Sequence, residues 1–303
     1  MLVNLAQILA TAVESDYSVG CFNVFGWEDA RAVVDAAVDA RAPVILAANL
    51  DFRRFMPIEV IATMLRSIAE HASVPVCVHL DHSYEIAEVL RAVDAGFTSV
   101  MYDGSQLPLE ENIAGTRHVA QIAHDAGCSV EAEIGSVPYA EGRAHIKSEL
   151  TMVSDACRLA RESGLDAMAV SIGNVHRLQT PGAIIDFARL AEIEASVSVP
   201  LVIHGTSGIV EKDIAQLIRT RVAKFNVGTV LRQSFGRGLR ETLARNPERF
   251  DRLEIMKDVM AVMSCEAERV IRLLGWKHDM CVTVQAHTPT SRQLFEVQRT
   301  GLS

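Results

Sequence analysis

The sequence predicts an α/β protein built as a (β/α)8 TIM barrel with an additional C-terminal helix and a tail. Three observations favour this fold class. Short β-branched runs alternate with amphipathic segments of helical period, the alternation supplies eight strands, and glycine follows several of the helical segments. Repeated β-α units imply parallel strands with right-handed crossovers. Eight such strands close most economically into a barrel, although a doubly wound open sheet has the same periodicity.

The strand and helix candidates alternate along the first 227 residues. The strands are predicted at 18–24, 43–47, 75–79, 99–102, 129–133, 167–172, 200–204 and 222–227. The helices between them are predicted at 28–41, 57–71, 84–95, 110–126, 153–163, 182–195 and 211–220. Gly96, Gly127 and Gly164 mark helix ends, because glycine readily adopts the left-handed conformation found there.

A single domain is predicted over residues 1–275, because an eightfold barrel typically occupies about 250 residues. Segment 230–244 is predicted to be the helix that follows the eighth strand, and 251–274 an additional long helix. The apolar residues of this long helix recur at helical spacing, which more often indicates core packing than an interface. Residues 276–303 form a predicted tail without a clear period.

Composition excludes several classes of protein. A formal net charge of −9 and a pI of about 5.6 argue against a nucleic-acid binder, which usually presents a basic face. The six cysteines are scattered, so reduced thiols and a cytoplasmic location are expected. No apolar run approaches the roughly 20 residues of a membrane helix, and no signal peptide precedes the first strand.

The chemistry of a parallel barrel lies at the C-terminal ends of its strands, and three of these ends carry histidine. His82, His176 and His204 can supply three nitrogen ligands and leave an open position, as in catalytic zinc sites. Any one histidine alone is more often structural or on the surface. A structural zinc site is the poorer interpretation, because it needs four protein ligands at close spacing.

Four carboxylates accompany the histidines. Asp81 can transfer a proton beside the metal, or it can cap the helix predicted near residue 84. Asp103, Glu131 and Glu133 are candidates to orient the histidines or to act as alternate metal ligands. Glu131 and Glu133 share one face of their strand, since side chains alternate along it.

Two glycine and hydroxyl clusters follow the seventh and eighth strands, where barrels often bind phosphate. They cover residues 205–208 and 228–229, and the second stands at a helix N-terminus. Each cluster alone is a weak signal, because glycine also serves ordinary turns. Together they predict a phosphate site.

The chain resembles the class II fructose-bisphosphate aldolase family over about residues 4–274, and is nearest to its tagatose-bisphosphate aldolase branch. The resemblance is carried by six ordered motifs. They are Phe22-Asn23, His79-Leu80-Asp81-His82, Met101-Tyr102-Asp103-Gly104-Ser105, Val130-Glu131-Ala132-Glu133-Ile134-Gly135, His204-Gly205-Thr206-Ser207-Gly208 and Asn226-Val227-Gly228-Thr229.

The resemblance implies a zinc-dependent aldol reaction on a small phosphorylated sugar. It implies that Asp81 is the proton donor to the aldehyde and that the three histidines hold zinc. The residues it assigns to the ketose phosphate are Gly205, Ser207, Asn226, Gly228 and Thr229, with Asn226 also near the reacting carbons. It further implies a monovalent cation (Na+ or K+) near the phosphate, and a homodimer or homotetramer.

The base that removes the carbon-bound proton is less defined. Glu141 falls at the distance beyond Glu133 at which the family has a glutamate on a mobile loop, but it can equally be a solvated loop charge. Departures from the family pattern leave the ketose and the aldehyde open. Arg177 replaces a glycine and can bind an anion or point to solvent, and Pro138-Tyr139 replaces a Gly-Gly pair, which should stiffen the loop.

Two alternatives remain on the same scaffold. In a metal-dependent hydrolase the metal would activate water instead of a ketone, but that class more often has a His-x-His pair on its first strand, which residues 19–25 lack. A non-catalytic aldolase-like barrel would keep the fold for regulation or assembly, since fold alone does not fix function. The retained Asp81 and three histidines argue against it.

Overall fold

Eight parallel strands surround a common axis in the computed structural model, which describes residues 1–141, 148–277 and 280. Each strand from β2 to β9 pairs with its neighbours in chain order, with a register shift between β4 and β5, and β9 pairs back with β2 to close the barrel. The strands are β1 (Leu2–Val3), β2 (Val19–Asn23), β3 (Val44–Ala48), β4 (Val76–Ser83), β5 (Ser99–Tyr102), β6 (Ser129–Ile134), β7 (Ala167–Val170), β8 (Leu201–Ile203) and β9 (Val222–Val227). The predicted barrel is confirmed.

Helices surround this barrel. They are α1 (Leu5–Leu9), α2 (Trp27–Ala40), α3 (Leu50–Phe55), α4 (Ile58–Glu70), α5 (Ile86–Ala95), α6 (Leu109–Asp125), α7 (Val153–Ser163), α8 (Phe187–Ser196), α9 (Glu211–Leu217), α10 (Thr229–Arg245) and α11 (Arg252–Leu273). Apolar faces of the helices and outward-facing strand residues make one continuous core. Among the described helices, none is long and apolar enough to cross a membrane.

Three elements differ from the sequence prediction. Strand β4 continues to Ser83, beyond the predicted end at 79, because its polar residues face the barrel interior and still pair with β5. Helix α3 was not predicted; Asn49 caps it by accepting a hydrogen bond from the Phe52 amide. Helix α8 begins at Phe187, and the predicted start at 182 is wrong because the Gly182 and Ala183 amides donate to the Gly208 carbonyl instead.

The additional helix α11 packs against α2 and α10. The spacing of its apolar residues predicted such packing. The chain after it packs against the start of β2 and the end of α2. Trp276 is 3% exposed, donates from its indole nitrogen to the Ala40 carbonyl at 2.9 Å and contacts the Tyr17 ring edge-on at 4.9 Å. Trp276 therefore belongs to the core, although it opens the predicted tail. Residues 278, 279 and 281–303 of that tail lie outside the described residues.

Replacing Trp276 tests the contribution of this packing to stability. Trp276→Ala is expected to lower the free energy of unfolding by about 3–5 kcal/mol, because a large buried side chain leaves a cavity. Trp276→Phe retains most of the packing and is expected to cost only about 1 kcal/mol for the lost hydrogen bond. Urea unfolding measures both values. Leu253→Ala on the exposed face of α11 is the control, and an equally small effect of Trp276→Ala would contradict the prediction.

Candidate metal centre and active site

Three histidines converge at the C-terminal end of the barrel. His82 lies near the end of β4, His176 follows β7 and His204 follows β8 directly. Their ring centroids are 4.6 to 5.4 Å apart. One ligand atom of each, together with a carboxylate oxygen of Glu133, lies within 4.8 Å of all the others. The fold thus brings together side chains that are up to 122 residues apart in the sequence, counting from His82 to His204.

Hydrogen bonds select which histidine nitrogen faces the cluster. His82 donates from Nδ1 to Asp103 at 2.8 Å, and His204 donates from Nε2 to Glu131 at 3.1 Å. In the neutral form of each ring, which is the form that binds a metal, this bond leaves the other ring nitrogen as an acceptor. Within the described part of the chain, Nε2 of His82, Nδ1 of His204 and Oε2 of Glu133 are buried without a hydrogen-bond partner. Such atoms call for a ligand, and their chemistry fits a divalent cation.

The backbone at His82 is held in an unusual conformation. Its φ is +48°, a left-handed value that is rare for a residue with a side chain, and the pairing of β4 with β5 shifts register there. Arg53 stabilises this bend: its guanidinium donates to the carbonyls of Asp81 at 2.8 Å and His82 at 2.9 Å, and pairs with Glu88 at 2.9 Å. Backbone strain of this kind is concentrated at functional sites. No motif in the sequence pointed to Arg53.

The half-buried His176 is fixed by the loop after β6. Its amide donates to the Pro138 carbonyl at 2.8 Å, and its carbonyl accepts from the Ala140 amide at 2.9 Å. The Tyr139 ring stacks on the imidazole at 4.6 Å with an interplanar angle of 21°. Burial lowers the pKa of His176 well below its usual value, and the neighbouring His82 and His204 lower it further. His176 is therefore neutral, the form that binds metals.

Asp81 lies beside the histidines and is held by two amides. Asn226 donates from Nδ2 to one carboxylate oxygen at 2.9 Å, and Asn23 donates to the other at 3.0 Å. Burial raises the pKa of Asp81, but His82 and His204 in their protonated forms, together with the Lys224 ammonium, hold it well below its usual value. The capping alternative for Asp81 is wrong, because α5 begins after Glu85 without a side-chain cap.

Glu131 connects the histidine cluster to a buried lysine. The Lys224 ammonium lies 2.9 Å from Oε2 of Glu131, and both side chains are fully buried. Burial raises the pKa of Glu131, but the Lys224 charge and the hydrogen bond from His204 lower it to about 2. Asp103 is similarly fixed, since it also accepts from the Ser105 amide at 3.1 Å. These carboxylates orient the histidines, and Glu133 is the one that enters the cluster itself.

Residues of the two glycine clusters line the same cleft as His82 and His176. Gly205 has a φ of +72°, and a Cβ there would meet the Val175 carbonyl oxygen at 2.2 Å, so only glycine fits. Thr206 donates to the Asn226 carbonyl at 2.8 Å and joins the two clusters. Helix α10 begins at Thr229 without a side-chain cap, which leaves its first amides available to an anion. Ser207 also lines the cleft.

Charged residues surround the mouth of the cleft. Arg177 and Arg232 contact the same carboxylate oxygen of Asp51, at 2.7 and 3.3 Å. Arg177 has a φ of +58° at the position where a glycine was expected. Glu141 lies 3.9 Å from Arg177 with its side chain 62% exposed, and it stands apart from the histidine cluster. Residues 142–147, which follow it, lie outside the described residues.

Several residues of this site had no predicted role. Asn23 and Thr206 stood in quoted motifs without an assigned role, whereas Lys224, Asp51 and Arg232 were not considered. A signal existed for Lys224, because it shares a strand face with Asn226 two residues later. No spacing in the sequence pointed to Asp51 or Arg232, which meet through the packing of α3 and α10.

Comparisons with known proteins give a consistent picture. The sequence profile of the family described as fructose-bisphosphate aldolase class-II matches residues 3–279. The chain is 37% identical over 254 residues to a "Probable fructose-bisphosphate aldolase" of Bacillus subtilis (strain 168), covering 82% of this chain and 89% of that protein. It is 33% identical over 276 residues to the 6-phospho-5-dehydro-2-deoxy-D-gluconate aldolase of Shouchella clausii (strain KSM-K16), covering 90% and 94%.

A solved structure shares both fold and sequence features. The crystal structure of the YdjI aldolase from Escherichia coli K12 matches with a TM-score of 0.78 and 30% identity. The match covers 91% of this chain and 98% of that one. The relatives and the structure therefore agree over nearly the whole barrel.

Metal titration tests the cluster. Zinc is expected to raise the melting temperature of chelator-treated protein, because an ion bound at about 100 times its Kd stabilises the folded state by about 2.7 kcal/mol. His82→Ala and His204→Ala are expected to abolish the increase. His118→Ala, on the exposed face of α6, is the matched control and should respond like the unaltered protein. A full response in either cluster variant would refute the metal site.

Proposed function

Because this chain belongs to the class-II fructose-bisphosphate aldolase family, we propose that it is a zinc-dependent ketose-phosphate aldolase that reversibly cleaves a ketose phosphate or bisphosphate into dihydroxyacetone phosphate and an aldehyde. Family membership makes it a lyase that acts on a phosphorylated sugar. The observation that carries the proposal is the Asp81 carboxylate beside unpartnered ligand atoms of His82, His204 and Glu133.

Zinc is the proposed ion because three imidazole nitrogens with one open position match its preferred catalytic coordination. His82, His176 and His204 would hold it, with Glu133 as an alternate ligand. When bound, zinc would supply an electrophile that polarises the substrate ketone. Asp103 and Glu131 keep the ligand nitrogens of His82 and His204 facing inward, so the site is organised before the ion arrives.

The glycine clusters are the proposed phosphate site. Gly205 and Ser207 line the cleft, and Gly228 and Thr229 line it at the N-terminus of α10. The free amides and the positive end of a 17-residue helix both favour an anion there. A monovalent cation, Na+ or K+, would reduce repulsion between the phosphate and nearby carboxylates. Arg177 is a proposed additional anion contact at the mouth.

Asp81 performs the proton transfer on the aldehyde side. During cleavage its carboxylate removes the proton from the hydroxyl group of the carbon that becomes the aldehyde, while the adjacent carbon–carbon bond breaks. In the synthetic direction it returns this proton to the aldehyde oxygen. The amides of Asn23 and Asn226 fix the carboxylate, and their N–H groups favour its ionised form.

Glu141 is the proposed group that exchanges a proton with the carbon next to the ketone. It is exposed at the mouth and borders the same basic surface as Arg177 and Arg232. To act on the substrate carbon, its carboxylate must leave Arg177 and turn into the cleft. The proposal includes a cytoplasmic location, which the scattered cysteines predict, and a homodimer or homotetramer by analogy with the family. The relative from Shouchella clausii is named for a substrate, 6-phospho-5-dehydro-2-deoxy-D-gluconate, that carries a carboxylate as well as a phosphate.

Proton exchange is the direct test of the proposed reaction. Zinc-loaded protein in D2O is expected to exchange one hydroxymethyl proton of dihydroxyacetone phosphate, because removal of that proton precedes bond formation. Proton NMR follows the loss of the signal, with chelator-treated protein as the control. No exchange by the metal-replete protein would refute the aldolase proposal, and phosphate release instead would favour the hydrolase.

Two carboxylate variants separate the two proton transfers. Asp81→Ala is expected to lower the cleavage rate by about 10²–10⁴-fold while proton exchange on dihydroxyacetone phosphate continues, because Asp81 serves only the aldehyde. Glu141→Gln is expected to slow the exchange itself. Glu149→Gln, an exposed glutamate beyond the same loop, is the matched control and should leave both rates unchanged. Full exchange by Glu141→Gln would exclude Glu141 as the base.

A further inference from the structure

Lys224 is a fully buried lysine that the proposed reaction does not use directly. It lies on β9 two residues before Asn226, so both side chains point into the barrel. Asn226 lines the active-site cleft, whereas Lys224 lies below it, out of reach of a bound substrate. A buried ammonium destabilises the folded state unless it is paired and hydrogen-bonded. The partners of Lys224 therefore indicate its role.

The first partner of Lys224 is Asn226. The ammonium lies 2.6 Å from Oδ1 of Asn226 and has only N–H donors, so this oxygen must accept the hydrogen bond. The amide nitrogen of Asn226 must then point the other way, and it lies 2.9 Å from Asp81. Lys224 thus fixes which end of the amide faces Asp81 and the cleft.

The second partner is Glu131, whose carboxylate lies 2.9 Å from the ammonium and also accepts from His204. This pair balances the charge of a carboxylate that orients a proposed metal ligand. A lysine that served only as this counter-ion would need no contact with Asn226. The short bond to Asn226 is therefore the feature that distinguishes the two roles.

We propose that Lys224 is a positioning residue for the aldol step, which acts through Asn226 by holding its amide group toward Asp81 and the reacting carbons. The inference rests on the aldolase function proposed above. Orientation of this kind has a large effect on rate, because displacement of a group by about 1 Å can slow a reaction by about 100-fold. Loss of Lys224 leaves Oδ1 of Asn226 without its donor and frees the amide to rotate.

The experiment compares Glu131→Gln with the double variant Lys224→Met/Glu131→Gln. The new glutamine side chain still accepts from His204 through its amide oxygen, and the double variant removes both buried charges together, which limits the loss of stability. We expect the double variant to melt near the unaltered protein and to bind one zinc ion. Relative to Glu131→Gln, its kcat is expected to fall by about 30-fold, with KM changed by less than about threefold. An unchanged kcat, or loss of zinc, would overturn the proposal.

A double-mutant cycle tests whether Lys224 acts through Asn226. In protein that already carries Asn226→Ala and Glu131→Gln, the further change Lys224→Met is expected to lower kcat by less than about threefold. The reason is that the contact between Lys224 and Asn226 is already absent. Additive losses would overturn the proposal. Asn226→Ala alone keeps the Lys224–Glu131 ion pair and is expected to lower kcat by a similar factor. A kcat equal to that of the unaltered protein in this variant would also overturn the proposal. This measurement remains possible even if the lysine variants do not fold.

The proton-exchange assay on unaltered protein separates the two levels of inference. If the unaltered protein exchanges the dihydroxyacetone phosphate proton but the double variant is equally active, only the role of Lys224 is refuted. If the unaltered zinc-loaded protein does not exchange, the aldolase proposal and this inference are both overturned.

Discussion

The burial of charge is the constraint on which the site depends. Asp81, Asp103, Glu131 and Glu133 are all buried within the upper half of the barrel, and Lys224 is the buried lysine among the described residues. Unpaired charges in such an environment cost several kcal/mol each. Asp81, Asp103 and Glu131 each accept hydrogen bonds from neighbouring side chains. Oε2 of Glu133 has no such donor in the described part of the chain and faces Nδ1 of His204. A divalent cation at this point would therefore balance the buried charge of Glu133 as well as serve the proposed chemistry.

The barrel could be predicted because it follows from local signals. Apolar runs, amphipathic helices and glycine stops recur with each β-α unit, and closure follows from their number. The prediction failed where local signals conflict with position in the fold. Strand β4 looks too polar to continue beyond His79, yet the interior of this barrel is polar at its upper end, and the strand continues to Ser83. The sequence pattern of a strand does not show whether the interior that the strand faces is apolar or polar.

The site could be predicted in part, for the same reason. Topology places all strand ends at one face, so the three histidines and the neighbouring carboxylates were identifiable without coordinates. The contacts that orient them were not. Lys224 reaches Glu131 across β8 and β7, and Arg53 from α3 supports the bend at His82, and neither relation has a fixed sequence spacing. Such contacts are set by the closed sheet and by helix packing, which appear only in three dimensions.

The ion pairs at the mouth of the cleft are partly exposed to solvent, unlike the charges buried inside the barrel. Asp51, Arg177 and Arg232 keep between 30 and 40% of their side-chain surface in solvent, and exposed pairs of this kind contribute at most about 1 kcal/mol to folding. Substitutions of these three residues are expected to change the free energy of unfolding little, whereas substitutions of Glu131 or Lys224 are expected to lower it. New substrate preferences can therefore arise at the mouth while the reacting centre below it stays the same.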